Sequence, residues 1–375
     1  MARTAINCKA IGGVVIYEGE RFWCSTMAEA KKMLEEEGVA VLLNALNPEQ
    51  IGEMQEGMWN TLEWLTSTQP VPLVRGKPET YGAVRGLMPN HGSLFQGWPG
   101  LAHRPHMWMA REATAPMFAE IWDCKPDDLL CSMDATSMGV AHLVPERPTG
   151  FERGNVWLHS DQAPTRSDFE CVQGWVTGEN VEAGDATLRV LPGSHKLLGQ
   201  FAAENGVTET ADWYKLNEAE RAWYTAQGCE DVRLMVPAGA LVLWDSRTIH
   251  SGAAPLREAP NPKPRNVVYV CMQPRHPTIR GMGRGKENRR LTKAELTAMR
   301  KTLEKRREIL TPGGKYYGRM TTHWPRKTML FGKFPRAYGP KPESWEKLPM
   351  SPIPELTPLQ RILAGVEGGS HPSQN

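Results

Sequence analysis

Between Leu129 and Met272 the chain breaks into short apolar runs, each stopped by glycine, proline or a polar turn. Leu129–Met133, Ser137–Leu143, Glu170–Thr177, Asp185–Leu191, Val232–Val236, Ala240–Trp244 and Arg265–Met272 are the strand candidates. Runs this short bury an apolar face by stacking sheet on sheet. The chain holds 35 Gly and 30 Pro, so turn residues are plentiful and a helical bundle is disfavoured. The expected fold is mainly β with flanking helices around a double-stranded β-helix, the cupin-like jelly roll. Pro237-Ala238-Gly239, between two of the runs, reads as a hairpin turn.

The helices come first. Residues 26 to 37 suit a helix that Gly38 closes, and Val39–Leu43 follows as a buried strand. Asn47 caps the next helix with Pro48 at its first position, and Ile51, Met54, Met58, Leu62 and Leu65 form its apolar stripe. Met107–Trp122 also reads as helix, kinked or restarted at Pro116. Residues 69 to 106 lack periodicity and are too long for a connector, so they form an arm or a lid. His103 and His106 have metal-ligand spacing, but Pro105 between them speaks against a helix that would aim both at one ion. The apolar run Ala10–Tyr17 is short, glycine-interrupted and followed by Glu18 and Glu20, so it reads as a strand in place of a signal peptide.

Composition bounds the setting. No window approaches the length of a membrane span. The seven cysteines are scattered, odd in number and without a C-x-x-C, which disfavours a disulfide framework or zinc ribbon and points to the cytoplasm. The net charge of +2 conceals a split: Arg280 to Arg336 carries 17 Lys and Arg against 4 Glu, a balance of 17 − 4 = +13. A basic helix over 292 to 309 lies within it, with Thr292 and Glu295 as a capping box. That segment neutralises the acidic remainder, receives an acidic small molecule, or touches nucleic acid through phosphates with aromatics stacking on bases. Residues 1–275 read as one domain with N-terminal helices and inserts. Residues 276–375 read as a Pro/Gly-rich extension wrapping the core, with the last ten or so residues disordered.

The candidate chemistry sits in Asn155 to Pro164, N-V-W-L-H-S-D-Q-A-P. If the apolar run before His159 is a strand, His159 and Asp161 share a face. His250 stands 250 − 161 = 89 residues beyond Asp161, at the end of another strand-like run and expected on the opposite sheet edge. Two imidazoles and one carboxylate make the facial triad of non-haem iron oxygenases, with positions left open for oxygen and a cosubstrate. Arg265, opening the last strand, offers a fork for a carboxylate; Arg257 is its competitor from a loop. His195 in P-G-S-H reads as structural, and Asp245 with Arg247 as a buried pair near His250.

The ordered set V-W-L-H-S-D-Q, V-Q-G-W-V, L-R-V-L-P-G-S-H and G-A-L-V-L-W-D-S-R-T-I-H-S-G resembles the phytanoyl-CoA dioxygenase-like family across roughly residues 35 to 275. The resemblance implies Fe(II), 2-oxoglutarate and O2, with His159, Asp161 and His250 as iron ligands and Arg265 on the cosubstrate's C5 carboxylate. Trp175 falls where the family packs an aromatic near the cosubstrate. The interval from His250 to Arg265 exceeds the family's usual spacing, which keeps Arg257 in view. The implied reaction converts 2-oxoglutarate and O2 to succinate and carbon dioxide while hydroxylating an unactivated C–H of a small molecule. Family halogenases carry a small residue where this chain has Asp161, so hydroxylation, or a related desaturation or cyclisation, is expected. Substrate recognition is expected from residues 69 to 106 and 196 to 230.

Overall fold

Two β-sheets face each other in the computed structural model, which describes residues 3–9, 11–87, 94–95, 100–134, 136–140, 157–259, 261–275, 292–321, 347–348 and 350–368. The N-terminal part contributes β1 (Thr4–Cys8), β2 (Gly13–Glu18), β3 (Trp23–Cys24), α1 (Met27–Glu37), β4 (Val39–Leu42), α2 (Pro48–Thr66), β5 (Leu94–Phe95) and α3 (Pro105–Trp122). The core strands are β6 (Leu129–Cys131), β7 (Thr136–Gly139), β8 (His159–Ser160), β9 (Val172–Thr177) and β10 (Thr187–Val190). After α4 (Ser194–Glu204), β11 (Tyr214–Lys215) and α5 (Glu218–Ala226) come β12 (Val232–Leu234), β13 (Leu241–Asp245), β14 (His250–Ala253) and β15 (Arg265–Pro274). Helices α6 (Lys293–Leu310) and α7 (Pro358–Ala364) lie beyond them.

One sheet runs β1-β2-β12-β10-β14-β8-β11 and the other β3-β4-β13-β9-β15-β7-β5, with β6 on the end of β15. Strands β7 to β10 and then β12 to β15 alternate between the two sheets, except that β10 and β12 pair directly. This is the double-stranded β-helix that the short, turn-punctuated runs predict.

Side-chain alternation builds the layers. On β13, Leu241 and Leu243 join the cluster under the helices, while Val242 and Trp244 join the cluster between the sheets. On β4, Ala40 and Leu42 face the helices and Val39 and Val41 face the other sheet. Sheets buried on both faces read as continuous apolar runs, which is why these strands carry no polar alternation. Helix α2 lays Met54, Met58, Leu62 and Leu65 into the helix-side cluster, all fully buried. Each such side chain contributes about 2 kcal/mol. Capping boxes at Thr26 and Asn47 start α1 and α2, the second where the sequence places a cap, and Gly38 ends α1 with φ +76° as expected.

Several expectations change. Pro237–Gly239 does form a turn, with Ala240 N–H donating to Pro237 O at 3.1 Å. It does not close a hairpin: β12 pairs β10 and β2, β13 pairs β4 and β9, so the turn carries the chain from one sheet to the other. Helix α3 runs unbroken through Pro116, and Pro105 is its first residue, where a missing N–H costs nothing. The strand expected over 10–17 is β2, and β1 pairs with it antiparallel.

The C-terminal elements pack on the core. Arg306 of α6 is buried and donates to the carbonyls of Ala364 at 2.7 Å, Leu363 at 3.2 Å and Cys131 at 2.6 Å. Arg275 donates to Ile362 O and Glu367 O. Ile309, Leu363 and Ala364 join the helix-side cluster. Much of the basic stretch (280–291 and 322–336), residues 141–143 of an expected strand, the Glu295 side chain and the tail from 369 lie outside the described residues. No helix among the described residues is long and apolar enough to cross a membrane. All seven cysteines are free.

Candidate metal centre

His159 opens β8, and His250 opens β14, which pairs with it antiparallel; the two histidines are register partners with ring centroids 4.5 Å apart. They lie on adjacent strands of one sheet, not on opposite edges. The reason is the crossing turn at Pro237–Gly239, which returns the chain to the same sheet one connection later. Strand β8 is shorter than its sequence suggests: Trp157 and Leu158 are irregular, residues 155–156 lie outside the described residues, and Asp161 stands just past the strand's end.

All three side chains are buried, His159 at 4%, Asp161 at 7% and His250 at 5% exposure. His159 Nε2 is 3.3 Å from one Asp161 oxygen, and His250 Nε2 is 3.4 Å from the other. One ligand atom from each lies within 4.8 Å of the others, the one such cluster among the described residues. Two donors each about 2.1 Å from an octahedral ion stand about 3.0 Å apart, so the spacing matches one shared cation.

The ring orientation supports this. His159 Nδ1 is 3.1 Å from Trp157 O, and His250 Nδ1 is 2.9 Å from Thr248 O, so each Nδ1–H donates to a backbone carbonyl. Neutral rings then turn both Nε2 lone pairs toward the carboxylate. Protons on the Nε2 atoms, or one dication, relieve that repulsion. Burial pushes the His159 pKa down, helped by the nearby His250. For Asp161 burial works upward, but interaction with the facing His159 and His250 outweighs it and holds the carboxyl well below the usual range.

The surrounding loops fix these positions. Ile249 N–H donates to Ser194 Oγ at 2.8 Å, and Thr248 Oγ1 donates to Gly38 O at 2.8 Å. Ser246 Oγ donates to Gln162 Oε1 at 2.8 Å, which ties the residue after Asp161 to the loop before His250. Arg247 forms the expected buried pair with Asp245, at 2.9 and 2.6 Å, and also donates to Ser167 O. His195 is structural: its Nε2 meets Glu35 O at 3.2 Å. Burial pushes His103 and His106 down to about 3; His103 faces Arg319 O at 2.8 Å and neither joins the cluster.

Arg265 is buried between the sheets. Its Nε donates to Ser137 Oγ at 2.7 Å and its Nη1 to Ala186 O at 2.8 Å, with the guanidinium 5.9 Å from the Trp175 ring. Ala186 precedes β10, whose Val190 pairs with His250, so the guanidinium and the triad lie along the same strand pair. Arg257 is exposed.

The 196–230 insertion reaches the site through β11, which pairs Tyr214 with Ser160 and Lys215 with His159. Trp213 N–H donates to Asp161 O at 3.0 Å, and its ring lies 5.5 Å from His159. Trp157 stacks on His159 with ring centroids 5.0 Å apart, nearly parallel at 12°. Inward-facing Gln173 drew no attention as a sequence feature, although it stands two residues before Trp175 and so must share its face.

The sequence matches the phytanoyl-CoA dioxygenase family over residues 34–256. A curated relative, Ava biosynthesis cluster protein O of Aspergillus versicolor, is 28% identical over 249 residues, 64% of this chain and 75% of that protein. Among solved structures, AviO1 from Streptomyces viridochromogenes Tue57 is 16% identical over 71% of this chain and 99% of that one, with a TM-score of 0.42. EctD from S. alaskensis, solved with 2-oxoglutarate and 5-hydroxyectoine, is 15% identical over 72% of this chain and 86% of that one, with a TM-score of 0.42. The family match spans more than half of the 375 residues and contains His159, Asp161 and His250. The chain belongs to the phytanoyl-CoA dioxygenase family and is an oxygenase that uses Fe(II), 2-oxoglutarate and O2.

Proposed function

We propose that this oxygenase hydroxylates an unactivated C–H of a small molecule, with His159, Asp161 and His250 holding the iron. The observation that carries the reading is the convergence of two Nε2 atoms on one buried carboxylate while both Nδ1 atoms are pinned to the backbone. Iron with 2-oxoglutarate and O2 supplies the oxidising power, releasing succinate and carbon dioxide. Asp161 fills the third ligand position, which favours oxygen transfer over halogenation.

Arg265 binds the cosubstrate's C5 carboxylate in this reading. Its Nε and one Nη1 hydrogen hold it to Ser137 and Ala186, leaving the Nη1–Nη2 edge for a bidentate carboxylate. Trp175 packs beside it, and burial of the whole group keeps water from competing. The exposure of Arg257 makes it the poorer choice. The contacts of Arg306 and Arg275 support reading 276–375 as an extension wrapped on the 1–275 oxygenase domain, and no nucleic-acid partner is proposed. Free cysteines throughout support a cytoplasmic setting.

Anaerobic addition of Fe(II) and 2-oxoglutarate is expected to raise a weak visible charge-transfer band that His159→Ala abolishes. Iron binding without that band would sink the proposal. Arg265→Ala should weaken 2-oxoglutarate binding about 100-fold, since truncating one partner of a buried charge pair costs about 2–5 kcal/mol. Arg257→Ala should leave it near wild type. The reverse ranking would move the cosubstrate role to Arg257.

A further inference from the structure

Strand β9 turns Gln173 and Trp175 to the same inner face. Gln173 pairs across the sheet with Trp244 on β13 and Cys271 on β15. This rung lies at the metal end of the interior: the Trp244 ring is 5.3 Å from that of His250. Gln173 is 1% exposed, and neither its Oε1 nor its Nε2 has a hydrogen-bond partner among the described residues. Nε1 of Trp244, a residue 2% exposed, lacks one as well. The Cys271 thiol cannot help, because it donates to Val172 O at 3.2 Å.

A buried polar group left unpaired costs about 1–3 kcal/mol, and this rung carries three such atoms on two paired residues. A ligand that completes them recovers that cost. 2-Oxoglutarate as the dianion offers only acceptors, so it can meet Nε2 or the indole N–H but never Gln173 Oε1. The completing group must carry a donor beside an acceptor. A secondary amide does this with one planar unit, its N–H to Oε1 and its carbonyl to Nε2, with the Trp244 N–H as a second donor to the same oxygen.

A second observation concerns shape. Trp157 and Trp213 are 36% and 45% exposed and both lie against His159. Trp213 adopts φ +70°, a conformation rare for a bulky side chain, and is held there by its N–H bond to Asp161 O. Exposed indoles beside a metal ligand present flat apolar faces to an incoming molecule.

We propose that the primary substrate is a small planar molecule carrying a secondary amide, read by Gln173 and Trp244 and flanked by Trp157 and Trp213. The proposal rests on the reading of His159, Asp161 and His250 as the iron site. The test uses the full chain loaded with Mn(II) and 2-oxoglutarate under argon, so that the cosubstrate binds without turnover and brings no amide of its own. Binding of oxindole and 3,4-dihydroquinolin-2-one is compared calorimetrically with that of their N-methyl derivatives. The lactams are expected to bind at least about tenfold more tightly than the N-methyl forms. Gln173→Met, with Gln173→Leu as a second variant, should bring each pair within about twofold and leave 2-oxoglutarate affinity unchanged. Equal binding of the paired compounds, or no binding of any of them, overturns the proposal. A tenfold or so loss of 2-oxoglutarate affinity in both variants overturns it too, by assigning the Gln173 amide to the cosubstrate. If 2-oxoglutarate itself fails to bind the Mn(II)-loaded wild type, the iron-site reading falls first, and that outcome is visible before any lactam is added.

Discussion

Gly38→Ala is expected to weaken the fold and the metal site together. Gly38 ends α1 at φ +76°, where an L side chain costs about 1–2 kcal/mol. A Cβ there would lie 2.4 Å from His195 Nδ1 and 2.4 Å from Thr248 Oγ1. Neither neighbour is free to retreat. His195 is fixed to Glu35 O, and Thr248 donates to the carbonyl of Gly38 itself. Forcing extra volume into such packing adds about 1–3 kcal/mol, for a total of about 2–5 kcal/mol. The same push reaches the site, because Thr248 O is the acceptor that orients His250 through Nδ1. Disturbing an outer partner of a metal-binding histidine lowers metal affinity about 10–100-fold.

Gly12→Ala is the matched control: φ is +66°, yet nothing lies within 4 Å of the added Cβ. It should cost only the backbone term, about 1–2 kcal/mol, and leave metal binding intact. Urea unfolding of the apoprotein measures the first quantity and Mn(II) titration the second. If Gly38→Ala costs no more than Gly12→Ala, the clash argument is wrong. If it costs the full amount with unchanged Mn(II) affinity, the link through Thr248 to His250 is wrong.

Acid stability should depend on two histidines far from the metal. Burial, with lesser help from nearby arginines, pushes His103 and His106 down to about 3. In the unfolded chain they take protons near pH 6.5, so the stability they carry is complete above that pH and is lost as pH falls toward 3. Between pH 7.5 and 5.5 each contributes a loss of about 1.4 kcal/mol, and His106→Leu should remove its share of that slope. An unchanged slope would refute the buried neutral state. Arg306→Met leaves the carbonyls of Ala364, Leu363 and Cys131 without their donor and should cost about 3 kcal/mol in urea unfolding. A loss below about 1 kcal/mol would mean that α6 is not anchored through this side chain.

Local signals in the sequence carried the most. Asn47 and Pro48 start α2 where their capping chemistry says they should, Gly38 closes α1, and the Met54 to Leu65 stripe is the buried face of α2. These features depend on neighbours within a turn or two of chain. The Pro237–Gly239 turn shows the limit. Its backbone geometry is the same whether the next strand pairs with the last or crosses to the facing sheet, and only the partners β4 and β9 decide which. The site divided the same way. His159, Asp161 and His250 were legible because three ligand types at the ends of apolar runs restrict the chemistry. Strand β11 has two residues and no readable period, so the attachment of the 205–217 region to β8 came only with the fold.

That attachment bears on how the metal site is held. Strand β8 is two residues long, too short for its own ladder to fix His159, and Asp161 lies outside it. It gains rigidity from β14 on one side and β11 on the other, while the Trp213 N–H bond to Asp161 O closes the end. The loop that carries Trp213 is therefore also part of the frame of the metal centre. Changes in the 205–217 region made to alter specificity should move metal affinity as well. Changes at Gln173 should not, because its strand is buttressed by β13 and β15 along its whole length. One face of β9 thus presents Trp175 beside Arg265 and Gln173 opposite Trp244, whose ring neighbours His250, and neither β9 side chain belongs to the ligand cluster.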